Sequence, residues 1–185
     1  MEIKIVDRIE DFMIDEFIQL EHIVNDRLWL RRNDLQDALE EYETDENGEL
    51  NPATFMEYYT VNYRSLDAVF YVISGNKVIA GCALQNWSFD RVKLIDFVVC
   101  TEHEGRGVAS LLLDKVIEYC KSKNRVEINL EVRDGMPAYN LYLKKGFEPI
   151  RLLEGDMIET DEECELEARG ITVPSQDCWC MELYL

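Results

Sequence analysis

Apolar and polar positions alternate from Glu2 to Asp7, the period of two that marks a half-buried strand. The period then lengthens. Phe12, Phe17, Leu20, Ile23 and Val24 recur near the helical repeat and predict a helix from Asp11 to Leu30. Asn33 or Asp34 offers a side-chain cap for a second helix reaching Tyr42. The acidic stretch Thr44-Asp45-Glu46-Asn47-Gly48 reads as a loop, and Asn51-Pro52 opens a third helix toward Tyr63, carrying Phe55, Tyr58 and Tyr59. From Val69 onward short apolar runs dominate. Val69–Ile73, Val78–Trp87 and Arg91–Val99 read as strands, the first two joined by a Ser74-Gly75-Asn76-Lys77 turn. A helix follows from Gly107 to Ser122, with Leu111, Leu112, Val116 and Tyr119 expected inward. Then come a strand at Arg125–Val132, a helix at Pro137–Lys145 and a strand at Phe147–Leu153. Glu154–Glu167 is acidic and reads as a loop, and Trp179–Leu185 as a closing strand.

This order predicts an α/β (α+β) fold: a mixed, mostly antiparallel sheet with helices on both faces. A chain of 185 residues, 47% hydrophobic, fits one domain large enough to bury a real core. No apolar run approaches the ~18 residues of a membrane span. Met1-Glu2-Ile3-Lys4-Ile5 lacks the basic flank and apolar core of a signal peptide, so a cytoplasmic location is expected. There is no internal repeat or low-complexity linker.

Candidate chemistry concentrates where the strand ending at Val98-Val99 gives way to Cys100-Thr101-Glu102-His103-Glu104-Gly105-Arg106-Gly107-Val108-Ala109. A strand feeding a glycine-rich loop into a helix start presents unpaired backbone N–H groups and the positive end of a helix dipole, which together bind phosphate. The glycines let a ligand approach the backbone. The spacing is not that of a P-loop, since G-x-x-x-x-G-K-S/T and its Lys are missing, nor of G-x-G-x-x-G, because Ser110 stands at the third position. Alone, the two glycines are equally consistent with a tight turn.

A second segment raises the phosphate reading. Ile128-Asn129-Leu130-Glu131-Val132-Arg133 is followed by Asp134-Gly135-Met136-Pro137 and then Ala138-Tyr139-Asn140-Leu141-Tyr142-Leu143-Lys144-Lys145-Gly146-Phe147. Pro137 suits a first helical turn and Gly146 a position just past a helix end. Together the segments resemble the GNAT N-acetyltransferase superfamily. Its pyrophosphate motif Q/R-x-x-G-x-G/A is matched by Glu104-x-x-Gly107-x-Ala109. Its second motif, L-E-V-R then A-x-x-L-Y-x-K-x-G-F, is matched by Leu130–Arg133 and Ala138–Phe147. The resemblance covers roughly Val69 to Leu153 and, loosely, the last strand. Two departures stand out. Glu104 replaces Gln or Arg, with Arg106 and His103 beside it to offset the charge, and the turn after the strand is one residue shorter than the common form, with Gly135 where Asn is frequent.

The resemblance implies a single domain over 1–185: variable acceptor-side helices in 1–68, an acetyl-CoA-binding core in 69–153, and an acidic loop with a closing strand in 154–185. It implies that the parallel strands Arg91–Val99 and Arg125–Val132 splay apart to admit acetyl-CoA. Phe97, Val98 and Val99 would face the pantetheine and the acetyl carbonyl. Glu104, Gly105, Arg106, Gly107, Val108 and Ala109 would surround the pyrophosphate, and Ser110 could add a hydroxyl contact. Tyr142 falls on the family's tyrosine, which commonly protonates the leaving thiolate; a phenol is protonated at neutral pH yet able to give up its proton. Tyr142 equally reads as a buried tyrosine with a satisfied hydroxyl. Two carboxylates are candidate bases, Glu131 in the L-E-V-R segment and Asp96 beside the cofactor segment, with Glu131 ahead; each also reads as a structural carboxylate.

The implied reaction moves the acetyl group of acetyl-CoA to a primary amine in a ternary complex. A GNAT-like module that binds CoA or a partner protein without catalysis is the alternative, and retention of Tyr142 and Glu131 favours the enzyme. Dimers are common in the family, so a homodimer is possible.

Charge narrows the partners. The net charge is −19, unevenly spread. Residues 69–153 carry 12 Lys/Arg against 10 Asp/Glu, residues 1–68 carry 6 against 18, and residues 154–185 carry 1 against 10. A near-neutral core suits a polyanionic cofactor. Acidic flanks disfavour nucleic acid and anionic membranes and favour a small-molecule or peptide amine that is cationic, unless the acidity only solvates the surface. Aminoglycosides, polyamines and protein N-termini all fit. Cys82, Cys100, Cys120, Cys164, Cys178 and Cys180 show no C-x-x-C spacing and there are only two histidines, His22 and His103, so no metal is expected.

Overall fold

The computed structural model describes residues 1–7, 15–17, 19, 20, 23, 66–155 and 177–185. The expected second and third helices, most of the first, the loop at Thr44–Gly48 and nearly all of the acidic segment after Glu154 lie outside the described residues.

Seven strands lie among the described residues: β1 (Glu2–Val6), β2 (Leu66–Ser74), β3 (Lys77–Asn86), β4 (Arg91–Val99), β5 (Glu127–Arg133), β6 (Glu148–Leu153) and β7 (Cys178–Tyr184). Helix α1 spans Val108–Ser122 and α2 spans Pro137–Lys144. The strand order in the sheet is β1-β2-β3-β4-β5-β7-β6. β1 with β2, β2 with β3, β5 with β7 and β6 with β7 pair antiparallel, while β4 and β5 pair parallel. The mixed, mostly antiparallel sheet read from the sequence is therefore the one observed.

The chain divides into two compact units, Met1–Asn86 with Asp96–Leu112, and Trp87–Ile95 with Leu113–Leu185. In the first, β2 and β3 are buried almost without interruption, from Ala68 to Ile73 and from Val78 to Leu84. Such continuous burial requires cover on both sheet faces rather than one. Part of that cover is a helical stretch carrying Phe17 and Leu20, 2% and 1% exposed. Leu20 seats on Gly81, where an added Cβ would come within 2.6 Å of Leu20 Cδ1 and of the Phe70 carbonyl. Only a glycine lets that leucine approach the sheet so closely.

In the second unit the core gathers Val92, Leu94, Leu113, Val116, Ile128, Leu130, Phe147 and Met181, all at most 4% exposed. The inward face of α1 differs from the expected one. Leu112, Val116 and Tyr119 are buried, but Leu111 is 40% exposed and Leu113 is fully buried. At 100° per residue the buried stripe centres near Val116, which puts Leu111 on the opposite side of the helix.

Helix ends explain the local boundaries. Asn124 ends α1 in the left-handed region, φ 56, while Arg125 N–H donates to Cys120 O at 2.9 Å and Asn124 N–H to Lys121 O at 3.1 Å. Gly146, φ 91, ends α2 in the same way, with Phe147 N–H donating to Tyr142 O and Gly146 N–H to Leu143 O, both at 3.1 Å. This double bond pattern satisfies carbonyls that a helix C-terminus otherwise leaves orphaned.

Candidate active site

The sequence-assigned residues fall into two groups, one in each unit. Asp96, Phe97, Val98, Val99 and the run Glu104 to Ser110 belong to the first; Glu131 and Tyr142 belong to the second.

The parallel β4–β5 register begins at Arg91 opposite Glu127 and ends at Leu94 opposite Leu130, although β4 continues to Val99 and β5 to Arg133. Just past the last pair, Asp96 adopts φ 53. A left-handed residue inside a strand breaks its pleat, and Asp is among the few side chains that tolerate the conformation. Val98 is then buried, and Phe97 and Val99 are half-buried.

β4 leads into a single 3-10 turn, Thr101–His103, closed by His103 N–H donating to Cys100 O at 2.9 Å. Cys100 is pinned to β3, its N–H donating to Ile79 O at 2.8 Å and its thiol to Val78 O at 3.9 Å. Gly105 and Gly107 follow at φ 67 and 81, and an added Cβ at either would meet nothing within 4 Å. The chain thus needs glycine here for backbone direction, and the space beside it is open. The first helical bond of α1 runs from Leu111 N–H to Gly107 O at 3.0 Å. The N–H groups of Val108, Ala109 and Ser110 precede it and have no acceptor within the helix. Glycines at positive φ, open space and first-turn N–H groups fit a diphosphate. Glu104 is exposed at the entry of this loop and Arg106 is exposed within it.

In the second unit, Glu131 is 40% exposed along its side chain and pairs with Lys93 Nζ at 2.9 Å. Lys93 stands opposite Asn129, and Glu131, two residues further along β5, shares that sheet face. The same ammonium sits 5.6 Å from the centroid of Trp87. This partner of Glu131 was not assigned from sequence, because it depends on the register between two strands. Half-burial pushes the Arg133 guanidinium below its ordinary pKa, with Cys178 acting in the opposite sense. The turn after β5 is held by Asp134, whose N–H donates to Asp177 O at 2.9 Å and whose Oδ1 accepts from Trp179 Nε1 at 3.0 Å.

Tyr142 lies in α2 and is only 4% exposed. Pro137 takes the first helical position and Tyr139 N–H donates to Met136 O at 3.0 Å. Lys145 Nζ reaches Asp114 Oδ1 of α1 at 2.6 Å and anchors the far end of α2.

Residues 32–147 match the model of the Acetyltransferase (GNAT) family, and the chain belongs to that family. It is an acetyl-CoA-dependent N-acetyltransferase. A Bacillus subtilis (strain 168) protein described as a candidate ribosomal protein bS18-alanine N-acetyltransferase is 28% identical over 123 residues, 65% of this chain and 80% of that protein. The crystal structure of the Escherichia coli ribosomal-protein-S18-alanine N-acetyltransferase superposes with a TM-score of 0.63 at 16% identity, covering 99% of this chain and 94% of that one. A GNAT family acetyltransferase from Elizabethkingia anophelis, solved with acetyl-CoA bound, superposes with a TM-score of 0.61 at 14% identity over 99% and 98% of the two chains. At these identities the superpositions show a shared fold.

Proposed function

We propose that the protein transfers the acetyl group of acetyl-CoA to the primary amine of a cationic acceptor by direct attack, and that the acceptor is the N-terminal amine of a polypeptide. The observation that carries the cofactor placement is the loop itself: two glycines at positive φ with open space beside them, running into first-turn N–H groups that have no acceptor within the helix. Relatives whose described acceptor is the alanine of a ribosomal protein support the polypeptide amine. The acidic flanks support a cationic chain around it.

When bound, acetyl-CoA supplies a thioester carbonyl to the attacking amine. The backbone N–H groups of Gly105, Arg106, Gly107, Val108 and Ala109, with the Ser110 hydroxyl, hold the pyrophosphate. Phe97, Val98 and Val99 present strand backbone to the pantetheine and the acetyl carbonyl. Glu131 takes the proton that the ammonium must lose, directly or through water, with Asp96 as the second candidate. Tyr142 gives its phenolic proton to the departing sulfur.

Mass spectrometry of reactions with acetyl-CoA tests the acceptor. The panel holds a Lys/Arg-containing peptide with a free N-terminus, the same peptide blocked there, a polyamine and an aminoglycoside. A single acetyl group on the α-amine of the unblocked peptide is the expected product. Transfer confined to the polyamine or the aminoglycoside overturns the polypeptide assignment and leaves the cofactor assignment standing.

A further inference from the structure

We propose that Cys100, Glu102 and His103 form a binding site for a borderline-soft divalent cation, Zn²⁺ in the first instance. Each of the three offers one ligand atom, and these atoms lie within 4.8 Å of one another. They belong to one short turn of the first unit. The His103 N–H bond to Cys100 O closes this turn and holds the residue carrying the thiol and the residue carrying the imidazole at its two ends. Glu102 lies between them in sequence and is exposed, so its carboxylate is free to swing toward both.

A second, independent observation points to a ligand. His103 Nδ1 is shielded from water and has no hydrogen-bond partner among the described residues. An unsatisfied buried polar atom costs about 1–3 kcal/mol. The imidazole is therefore held where its Nδ1 is left unmatched, and with the ring proton on Nε2 the Nδ1 lone pair would be taken up by a cation bound at this turn. The Cys100 backbone is set in advance by its N–H bond to Ile79 O, while the weak thiol bond to Val78 O is given up when the thiol loses its proton.

The donor set selects the metal. Thiolate, imidazole and carboxylate together suit Zn²⁺, whereas Mg²⁺ and Ca²⁺ prefer oxygen ligands alone. With bonds of about 2.0–2.3 Å, tetrahedral zinc holds its ligand atoms roughly 3.5 Å apart. The observed spacing closes to that value by rotation of side chains. Three protein ligands leave the fourth position to water. On binding, a sulfur–metal bond forms, the Cys100 thiol proton passes to solvent and no electron is transferred. None of the three residues is among those assigned to the pyrophosphate, yet the turn they occupy is the entry to Gly105, so an ion there would brace the phosphate loop. The sequence signal was C-x-E-H, legible as a ligand set only once the 3-10 turn is known.

Titration of chelator-treated full-length protein with Co²⁺, in the absence of any CoA, tests the site. The expected result is uptake of one equivalent, with the near-ultraviolet thiolate-to-cobalt band and the visible bands of tetrahedral Co²⁺, both erased by stoichiometric Zn²⁺. Cys100→Ser should remove the near-ultraviolet band. His103→Ala should weaken binding by at least the roughly 10–100-fold that loss even of an outer-shell partner costs a metal site. Cys180→Ser should change neither. The proposal is overturned if no stoichiometric uptake occurs, or if the band and affinity survive in Cys100→Ser and His103→Ala. Circular dichroism identifies variants that fail to fold; should Cys100→Ser do so, the half-exposed His103→Ala and the exposed Glu102→Gln decide the matter, loss of affinity supporting the site and wild-type affinity refuting it.

Discussion

The ring of Phe147 lies 5.5 Å from that of Tyr142, centroid to centroid, tilted by 59°. Phe147 is the third residue past the end of α2, and its N–H donates to the Tyr142 carbonyl. Tyr142 is thus tied to Phe147 twice, by backbone and by ring, across the left-handed Gly146. The Y-x-K-x-G-F spacing is first a way of ending a helix on its own tyrosine.

The two residues should therefore separate under mutation. Tyr142→Phe keeps the ring contact and removes only the hydroxyl. It should lower kcat at least tenfold, leave affinity for acetyl-CoA unchanged and shift stability by less than about 1 kcal/mol. Phe147→Ala opens the core at a residue 1% exposed and should cost about 3–5 kcal/mol in denaturant unfolding. Undiminished kcat in Tyr142→Phe would remove the tyrosine as the acid.

The choice of base is decided by a pair of isosteric changes. Asp96 sits at φ 53, and Asn tolerates that region as well as Asp does, so Asp96→Asn leaves the backbone unstrained. Glu131→Gln breaks the contact with Lys93, but that pair is partly exposed and worth at most about 1 kcal/mol. Both variants should fold and bind acetyl-CoA normally. Glu131→Gln is expected to lose the larger share of kcat; a greater loss in Asp96→Asn reverses the assignment.

Gly107→Glu tests the phosphate loop. At φ 81 any side chain is strained, and a carboxylate would enter the open space where the pyrophosphate is assigned. Calorimetry should find no binding of acetyl-CoA to the variant, while the strain should lower its unfolding free energy by about 1–2 kcal/mol and leave it folded. Unchanged affinity would show that the pyrophosphate lies elsewhere.

Leu111 and Leu113 measure how far the hydrophobic pattern could be trusted. Leu113→Ala should cost about 2–5 kcal/mol and Leu111→Ala less than about 1 kcal/mol, the reverse of what the sequence reading implied. A run of three leucines, Leu111-Leu112-Leu113, offers no phase of its own; Val108 and Cys120, buried one turn before and two turns after Leu112, supply it. Where termination signals were chemical the boundaries were legible: Pro137 opens α2, Gly146 closes it, and β4 runs from Arg91 to Val99 as read. What escaped the sequence depends on long-range pairing or on backbone conformation. The Lys93–Glu131 contact needs the β4–β5 register, and the left-handed Asp96 is hidden within an ordinary strand pattern.

Acidity gives the last prediction. Outside residues 69–153 the chain carries 7 Lys/Arg against 28 Asp/Glu, while that core is near balance. A field of one sign over the flanks raises the local concentration of a cationic acceptor and speeds its encounter. Salt shortens the reach of that field, from a Debye length of about 10 Å at 0.1 M to about 3 Å at 1 M. For a Lys/Arg-rich peptide, kcat/KM should therefore fall several-fold across that range, with the loss mainly in KM. A neutral peptide with the same N-terminal residue should show little change, and so should the KM for acetyl-CoA, whose assigned loop lies in the balanced region. Equal salt responses for the cationic and neutral peptides would assign the acidic flanks to solvation of the surface and leave acceptor choice to contacts near the amine.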